Sequence, residues 1–481
     1  MARDHASGFD NGRGVSARLA LTGLVNGAVL TTSPQPVISS RREIMSDPTI
    51  IRRRTVSSGN SGASTQYQPY KDAAWGFVNH WYPALFSHEL VEDQVEGVQI
   101  CGIPIVLRRA NGKVHALKDQ CLHRGVRLSE KPTCFNKKTI SCWYHGFTFD
   151  LESGRLATIV ANPEDKLIGT VGITSYPVHE VAGMIFVFVR DDDFPLADVP
   201  PLEQDLPVRF PKHSDRYPHP LWPAVPSLLD ENAVAMGIHR IGFTNWRIAC
   251  ENGIDNAHLL LHKDNSIIHA MEWVLPLGLL PSGEDCVEVL EDPEGPKGML
   301  QWLGTDKWQP VLENKELGLK VPGLVGRPYR TSIVLPGLVA VENWPGEHMA
   351  QLEWFVPITD DTHEYWEVIV RVCNTPEELA AHKYRYERVY EPLALHGFND
   401  CDIYARESME DFYGDGTGWE NEKMVATDIS AVTWRKVASR WNRGIAKPGR
   451  GVPGARKDSS LRFKRAADGK RISYKTEQIE D

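Results

Sequence analysis

The chain has 481 residues, with 53 Lys+Arg against 63 Asp+Glu and a formal net charge of -10; its mean hydropathy is -0.33. This is an ordinary soluble composition with room for two or three domains, and it excludes a membrane protein, a fully disordered chain and a general binder of nucleic acid or anionic lipid. Eight cysteines are too sparse for a disulfide scaffold, which points to a reducing compartment, read as the cytoplasm.

Residues 1–71 are poor in large apolar side chains and rich in Ser, Gly, Thr and Arg, so a disordered extension is expected there. The apolar run 19–30 is broken by Thr22, Gly23, Asn26 and Gly27; it makes a weak secretory signal and is too short to cross a bilayer. Arg13, Arg18, Arg41 and Arg42 favour a transit-like segment, and Asp4, Asp10 and Glu43 oppose it. The preferred reading is an upstream extension of the reading frame, because Met45 is followed by Ser-Asp-Pro and a fresh polar leader. Residues 446–481 turn Gly-, Pro-, Lys- and Arg-rich and read as a flexible basic tail.

From about 75 to 189 the pattern is of short strands broken by turns. Residues 103–108 and 114–117 flank Asn111-Gly112, a hairpin turn pair, and 140–143, 148–151 and 183–189 continue the series. An all-β module follows. It contains Cys121-Leu-His123-Arg-Gly125 and Cys142-Trp-Tyr-His145-Gly146, so each of two turns offers one thiolate and one imidazole. A chance set of core Cys and surface His is one reading of them. A Cys2His2 zinc site is another, although such sites usually pair Cys with Cys and His with His. A Rieske [2Fe-2S] centre takes both thiolates on one iron and both imidazoles on the other, and needs one of each from two facing turns. Cys101 and Cys134 lie outside this motif and read as packing or surface thiols.

Further on, 243–262 combines apolar and polar residues at helical spacing. His258 and His262 are four apart and Asp255 is three before the first, so all three fall near one helical face. Iron that binds O2 needs two His, one carboxylate and open positions, so a carboxylate is expected from elsewhere. Asp400 and Asp402 are the candidates, and spacing does not choose between them.

The two motifs and the chain between them resemble the terminal oxygenase (alpha) component of Rieske non-haem iron aromatic ring-hydroxylating oxygenases, and within that family the carbazole 1,9a-dioxygenase type. The pieces that carry the likeness are Cys121-Leu-His-Arg-Gly-Val126, Cys142-Trp-Tyr-His145, Glu251-Asn-Gly-Ile-Asp255, Leu261-His-Lys-Asp264, Leu275-Pro-Leu-Gly278, Glu353-Trp-Phe-Val-Pro357 and Asp402-Ile-Tyr-Ala-Arg-Glu407. The resemblance implies an α+β protein. A Rieske domain over 72–195 would precede a catalytic domain over 196–445, built on a helix-grip-like antiparallel sheet with helices. It implies Cys121, Cys142, His123 and His145 as [2Fe-2S] ligands and His258, His262 and Asp402 as ligands of a mononuclear Fe(II). It also implies a homotrimer fed by a ferredoxin and an NAD(P)H-dependent reductase, with Asp255 joining His258 to His145 of the partner subunit.

Asp255, one turn before His258, is placed to accept that ring's free N–H with its carboxylate, and Asn252 joins it as a catalytic candidate. Gly253, Ile254, Ala257 and Leu261 are candidates for an apolar substrate pocket or for plain core. The first functional expectation is O2-dependent dioxygenation of an aromatic substrate, with a fused heterocycle of the carbazole kind as a candidate. A Rieske monooxygenase is the runner-up, and a Rieske electron carrier or an inactive homologue the non-enzyme readings. No Gly-rich nucleotide fingerprint or plant-type ferredoxin cysteine cluster occurs, so reductase and ferredoxin are expected on separate chains. The Pro- and His-rich stretch 200–243 reads as a linker or a lid.

Overall fold

The computed structural model describes residues 67–207, 226–262, 264–270, 287–290, 298–303, 311–314, 319–322, 329–346, 348–425 and 428–447. Residues 1–66 and 448–481 of the two predicted tails, the motif at 275–278 and residues 208–225 of the Pro- and His-rich stretch lie outside the described residues. The inner edges of the tails are ordered, against expectation: Gln68–Asp72 is a short helix with Tyr70 buried, and Ala446 is buried too, because each packs into the core.

The strands expected before residue 190 are present. β1 (His80–Phe86), β2 (Val95–Ile100), β3 (Ile103–Ala110), β4 (Lys113–Lys118), β5 (Thr139–Ser141), β6 (Phe147–Asp150), β7 (Leu156–Ile159), β8 (Ser175–Tyr176), β9 (Val178–Val181) and β10 (Met184–Val189) form three sheets, ordered β2-β3-β4-β8, β5-β6-β7 and β1-β10-β9. Asn111 and Gly112 join β3 to β4 with φ of 54° and 74°, the paired left-handed conformation that a two-residue hairpin demands. Val106, Leu117, Ile140, Phe149 and Leu156 fill the core between the first two sheets, and Cys121 and Cys142 sit at its edge.

The second half is built on β11 (Ala233–Gly242), β12 (Val287–Leu290), β13 (Gly298–Leu303), the separate pair β14 (Val311–Asn314) and β15 (Leu319–Pro322), β16 (Tyr329–Val334), β17 (Leu338–Glu342), β18 (Ala350–Pro357) and β19 (His363–Val372). Seven of these make one antiparallel sheet in the order β11-β19-β18-β17-β16-β13-β12. The end of the stretch read as a linker or a lid is thus a strand: Ala233–Gly242 pairs along the whole of β19.

Every residue of β18 is buried, because both faces of the sheet are covered. Side chains alternate across the sheet, and the two faces do different work. Leu352, Trp354 and Val356 pack with Trp366 and Val368 against Phe86 and Phe186 of the β1-β10-β9 sheet. On the opposite face Phe355 and Tyr365 join Trp246, Cys250, Ile254 and Trp434 of the helical layer. Gln351 and Glu353 of β18, and Glu367 of β19, share that second face and are also buried. Two glutamates, Glu353 and Glu367, lie directly opposite each other in the register; like charges so placed repel unless each is answered.

Candidate active site

The two cysteine-histidine turns are built alike. Gly125 N–H donates to the Cys121 carbonyl at 2.8 Å and Gly146 N–H to the Cys142 carbonyl at 2.9 Å. Each turn closes through a glycine of positive φ, 72° and 69°. At Gly146 a β-carbon would lie 2.7 Å from Cβ of Val160, so both conformation and space call for glycine there. The Nδ1 atoms of His123 and His145 face each other at 3.1 Å. His123 stacks on Phe147 at 4.8 Å, and the Tyr144 and His145 rings are 3.7 Å apart. Trp143 Nε1 donates to the Arg127 carbonyl at 2.9 Å and ties one turn to the other. Two buried thiols below two converging imidazole nitrogens match the donor set of a Rieske cluster.

The second constellation departs from the expected continuous helix. A helix runs Trp246–Asn252, capped by Asn245, whose side chain accepts the Arg247 N–H. It stops at Gly253, and the chain resumes as a 3-10 segment over Asn256–His262. Gly253 and the Asp255-Asn256 pair are turn formers, and the break re-aims the histidines. His258 and His262 lie with ring centroids 5.2 Å apart. Asp402, on the Asn399–Tyr413 helix, completes the set: its Oδ1 is 3.5 Å from Nε2 of His258 and 3.3 Å from Nε2 of His262. Asp400 points elsewhere, into an ion pair with Arg240.

Three groups of possible metal ligands therefore converge, with their ligand atoms within 4.8 Å of one another. Nε2 of His262 and Oδ1 of Asp402 are buried without a hydrogen-bond partner. Orphaned buried acceptors are costly, and a cation between them removes the cost. Burial alone would raise the Asp402 carboxyl, and the charge of Arg406 acts against that by favouring the carboxylate. His262 donates from Nδ1 to Oδ1 of Asn265 at 2.9 Å. His258 Nδ1 meets the main-chain carbonyl of Asp255, not the carboxylate expected from the sequence. The one-turn spacing was right, but the helix break turns a peptide oxygen toward the ring.

Other candidates are placed differently from expectation. Asn252 is buried and accepts from Nε of Arg406 at 2.5 Å. Ile254 is core, 1% exposed. A β-carbon at Gly253 would meet Val339 at 3.3 Å and Phe355 at 3.4 Å, so this glycine relieves crowding against the sheet. Leu261 is exposed, and the side chain of Ala257 lies outside the described residues. Ile254 and Gly253 are thus packing positions, because the helical layer needs apolar filling over the sheet.

Sequence reasoning missed the polar layer below the site. The Arg406 guanidinium lies over Phe355 at 4.9 Å and Tyr365 at 4.6 Å, with Nη2 3.8 Å from Glu353. Tyr365 donates to Glu353 at 2.8 Å and Gln351 donates to it at 2.7 Å. Arg240 answers Glu367 through two bonds of 2.7 and 2.9 Å, and burial still pushes the Glu367 carboxyl up to about 7 against that pairing. Arg435 clamps Glu251 with two bonds of 2.7 Å. The spacing of Arg406, one helical turn after Asp402, was the only sequence signal for any of this.

Comparison with known proteins places the geometry. Residues 80–177 match the Rieske [2Fe-2S] domain, and residues 188–446 match the family described as homotrimeric ring hydroxylase. The chain belongs to the Rieske ring-hydroxylating oxygenases. As such it is an oxidoreductase that hydroxylates an aromatic ring, and it carries a [2Fe-2S] cluster and a mononuclear iron. This oxygenase is 38% identical over 403 residues to the terminal oxygenase component of carbazole 1,9a-dioxygenase from a Sphingomonas species, covering 83% of this chain and 98% of that one. Among solved structures it resembles a 2-oxoquinoline 8-monooxygenase component at 74% identity and a TM-score of 0.81, covering 88% of this chain and 99% of that one. It also resembles the oxygenase in a reduced oxygenase–ferredoxin complex of carbazole 1,9a-dioxygenase, at 38% identity and a TM-score of 0.70 over 79% of this chain and 93% of that one. Among the described residues no helix is long and apolar enough to cross a membrane.

Proposed function

We propose that this chain is the terminal oxygenase of a multicomponent monooxygenase acting on a bicyclic N-heteroaromatic lactam of the 2-oxoquinoline kind. The observation that carries the reading is the 74% identity across 99% of the 2-oxoquinoline 8-monooxygenase component, against 38% to the carbazole enzyme. In this reading Cys121, Cys142, His123 and His145 hold the [2Fe-2S] cluster, and His258, His262 and Asp402 hold the mononuclear iron. When bound, the iron supplies reductive activation of O2 beside the substrate, and the cluster supplies the electrons. The protein's own part is to keep two imidazoles and one carboxylate fixed, unprotonated where they meet, and backed by a buried polar layer.

Electrons come from a ferredoxin and an NAD(P)H-dependent reductase, as the likeness to an oxygenase–ferredoxin complex supports, and the assembly is a homotrimer, as the family description supports. The cluster turns carry exposed Leu122, Trp143 and Tyr144, and the 3-10 segment carries exposed Leu260 and Leu261. Apolar surface at both places fits contact between subunits, with Asp255 reaching His145 of the partner subunit. The compartment is the cytoplasm, in keeping with free described cysteines.

The test is reconstitution with a surrogate ferredoxin and reductase under 18O2, with 2-oxoquinoline, carbazole, dibenzofuran and methoxy-aromatics as substrates. One labelled oxygen in hydroxylated 2-oxoquinoline is expected. Two labelled oxygens in a carbazole product, with 2-oxoquinoline untouched, would replace this reading with angular dioxygenation.

A further inference from the structure

Asn265 follows His262 by three residues and precedes the short helix Ser266–Ala270. Its Nδ2 donates to the Gly397 carbonyl at 2.9 Å and lies 3.5 Å from Sγ of Cys401. A main-chain carbonyl can only accept, so this bond decides which end of the amide faces which way. The end left for His262 is Oδ1, which also only accepts, and the 2.9 Å contact therefore requires the proton of His262 on Nδ1. The Phe398 ring stacks on His262 at 3.6 Å and 8° and fixes the ring plane. Nε2 is left with a lone pair, buried, partnerless and 3.3 Å from Asp402.

The geometry points to Asn265 as the positioning residue that selects the metal-binding tautomer of His262. The inference deepens the assignment of His262 as an iron ligand and rests on it. Gly397 closes the turn before the Asn399–Tyr413 helix, so a rival role for Asn265 is a plain tie between two segments. The two roles separate by chemistry: Asp at this position keeps an acceptor for His262 and loses the donor to Gly397, whereas Ala loses both.

The experiment is anaerobic Fe(II) titration of protein stripped of mononuclear iron, with the Rieske visible and EPR spectra and the unfolding temperature as controls. Asn265→Ala is expected to weaken Fe(II) binding about 10- to 100-fold, the usual effect of losing a partner that orients a metal-bound histidine. Asn265→Asp is expected to stay within a few-fold of wild type. Unchanged affinity in Asn265→Ala overturns the proposal, and so does an equal loss in both variants, which would assign Asn265 to the tie. If Asn265→Ala does not retain its cluster spectrum, Asn265→Ser, whose hydroxyl stops short of the ring, takes its place with the same expectation. His262→Ala separates the two readings. If it binds Fe(II) like wild type, the ligand assignment itself fails; if it loses the iron while Asn265→Ala does not, only the role of Asn265 fails.

Discussion

Arg406 donates from Nε to Oδ1 of Asn252 across 154 residues of sequence, at 2.5 Å and in a buried setting. The bond joins the helix that carries Asp402 to the helix that leads into His258 and His262. Arg406 also faces Glu353, whose carboxyl is raised by burial and lowered by Arg406, Tyr365 and Gln351. Removing one member of a buried ion pair leaves the other uncompensated, typically at 3–5 kcal/mol. Arg406→Leu should therefore lower stability by about that amount in urea unfolding. Arg406→Leu with Glu353→Leu should recover most of the loss, because apolar replacement of both partners is close to neutral. A double variant as unstable as the single one would mean that Glu353 is not the partner that matters.

Asp400 and Asp402 separate by what faces them. Asp402 is buried against two histidines, and Asp400 is exposed on Arg240. Asp402→Ala should lower total iron from about three to about two per chain and abolish turnover, with the Rieske spectrum unchanged. Asp400→Ala should keep all its iron. Metal analysis of the two purified variants decides the matter, and loss of iron from Asp400→Ala alone would reverse the assignment.

His258 Nδ1 meets the main-chain carbonyl of Asp255, a contact that a change of the side chain leaves in place. Asp255→Asn should then keep both metals while steady-state turnover collapses, since the negative charge proposed to meet His145 of the partner subunit is gone. O2 uptake measured with iron content checks this, and wild-type turnover would remove Asp255 from the electron route. Loss of the mononuclear iron would instead show that the carboxylate supports His258.

The legible part of this protein was its local chemistry. Each Cys–His turn carries its whole signal within a few residues, and the i, i+4 histidines do the same, so spacing and family likeness pointed to two groups that the fold does bring together, the paired Cys–His turns and the set of His258, His262 and Asp402. Chain-distant partners were not legible: Glu353 is a polar residue in an otherwise apolar strand, and nothing near it names Arg406 as its answer. The helix break at Gly253 was visible as a glycine but not as a break, because the periodicity of 246–262 continues through it. Asn265 was hidden by its ordinariness, one Asn in a polar turn whose role depends on the direction of its amide.

A final expectation concerns pH. His239 on β11 donates or accepts through both ring nitrogens, Nδ1 to Glu364 of β19 at 2.7 Å and Nε2 to Glu89 at 2.8 Å, and stacks on Trp366 at 4.4 Å. Glu89 follows β1, so the imidazole links the β1-β10-β9 sheet to the seven-stranded sheet. Burial pulls the His239 pKa down, but the charges and hydrogen bonds of Glu364 and Glu89 outweigh it and the net shift is upward. A histidine with a raised folded-state pKa binds its proton more tightly in the folded protein. Its contribution is full below the unfolded value of about 6.5 and is lost as pH rises through the higher folded value. The unfolding-temperature gap between wild type and His239→Gln should accordingly be widest near pH 6 and shrink toward pH 9. A gap that widens with pH would show that the imidazole is neutral in the folded protein and that the two carboxylates are charged by other partners.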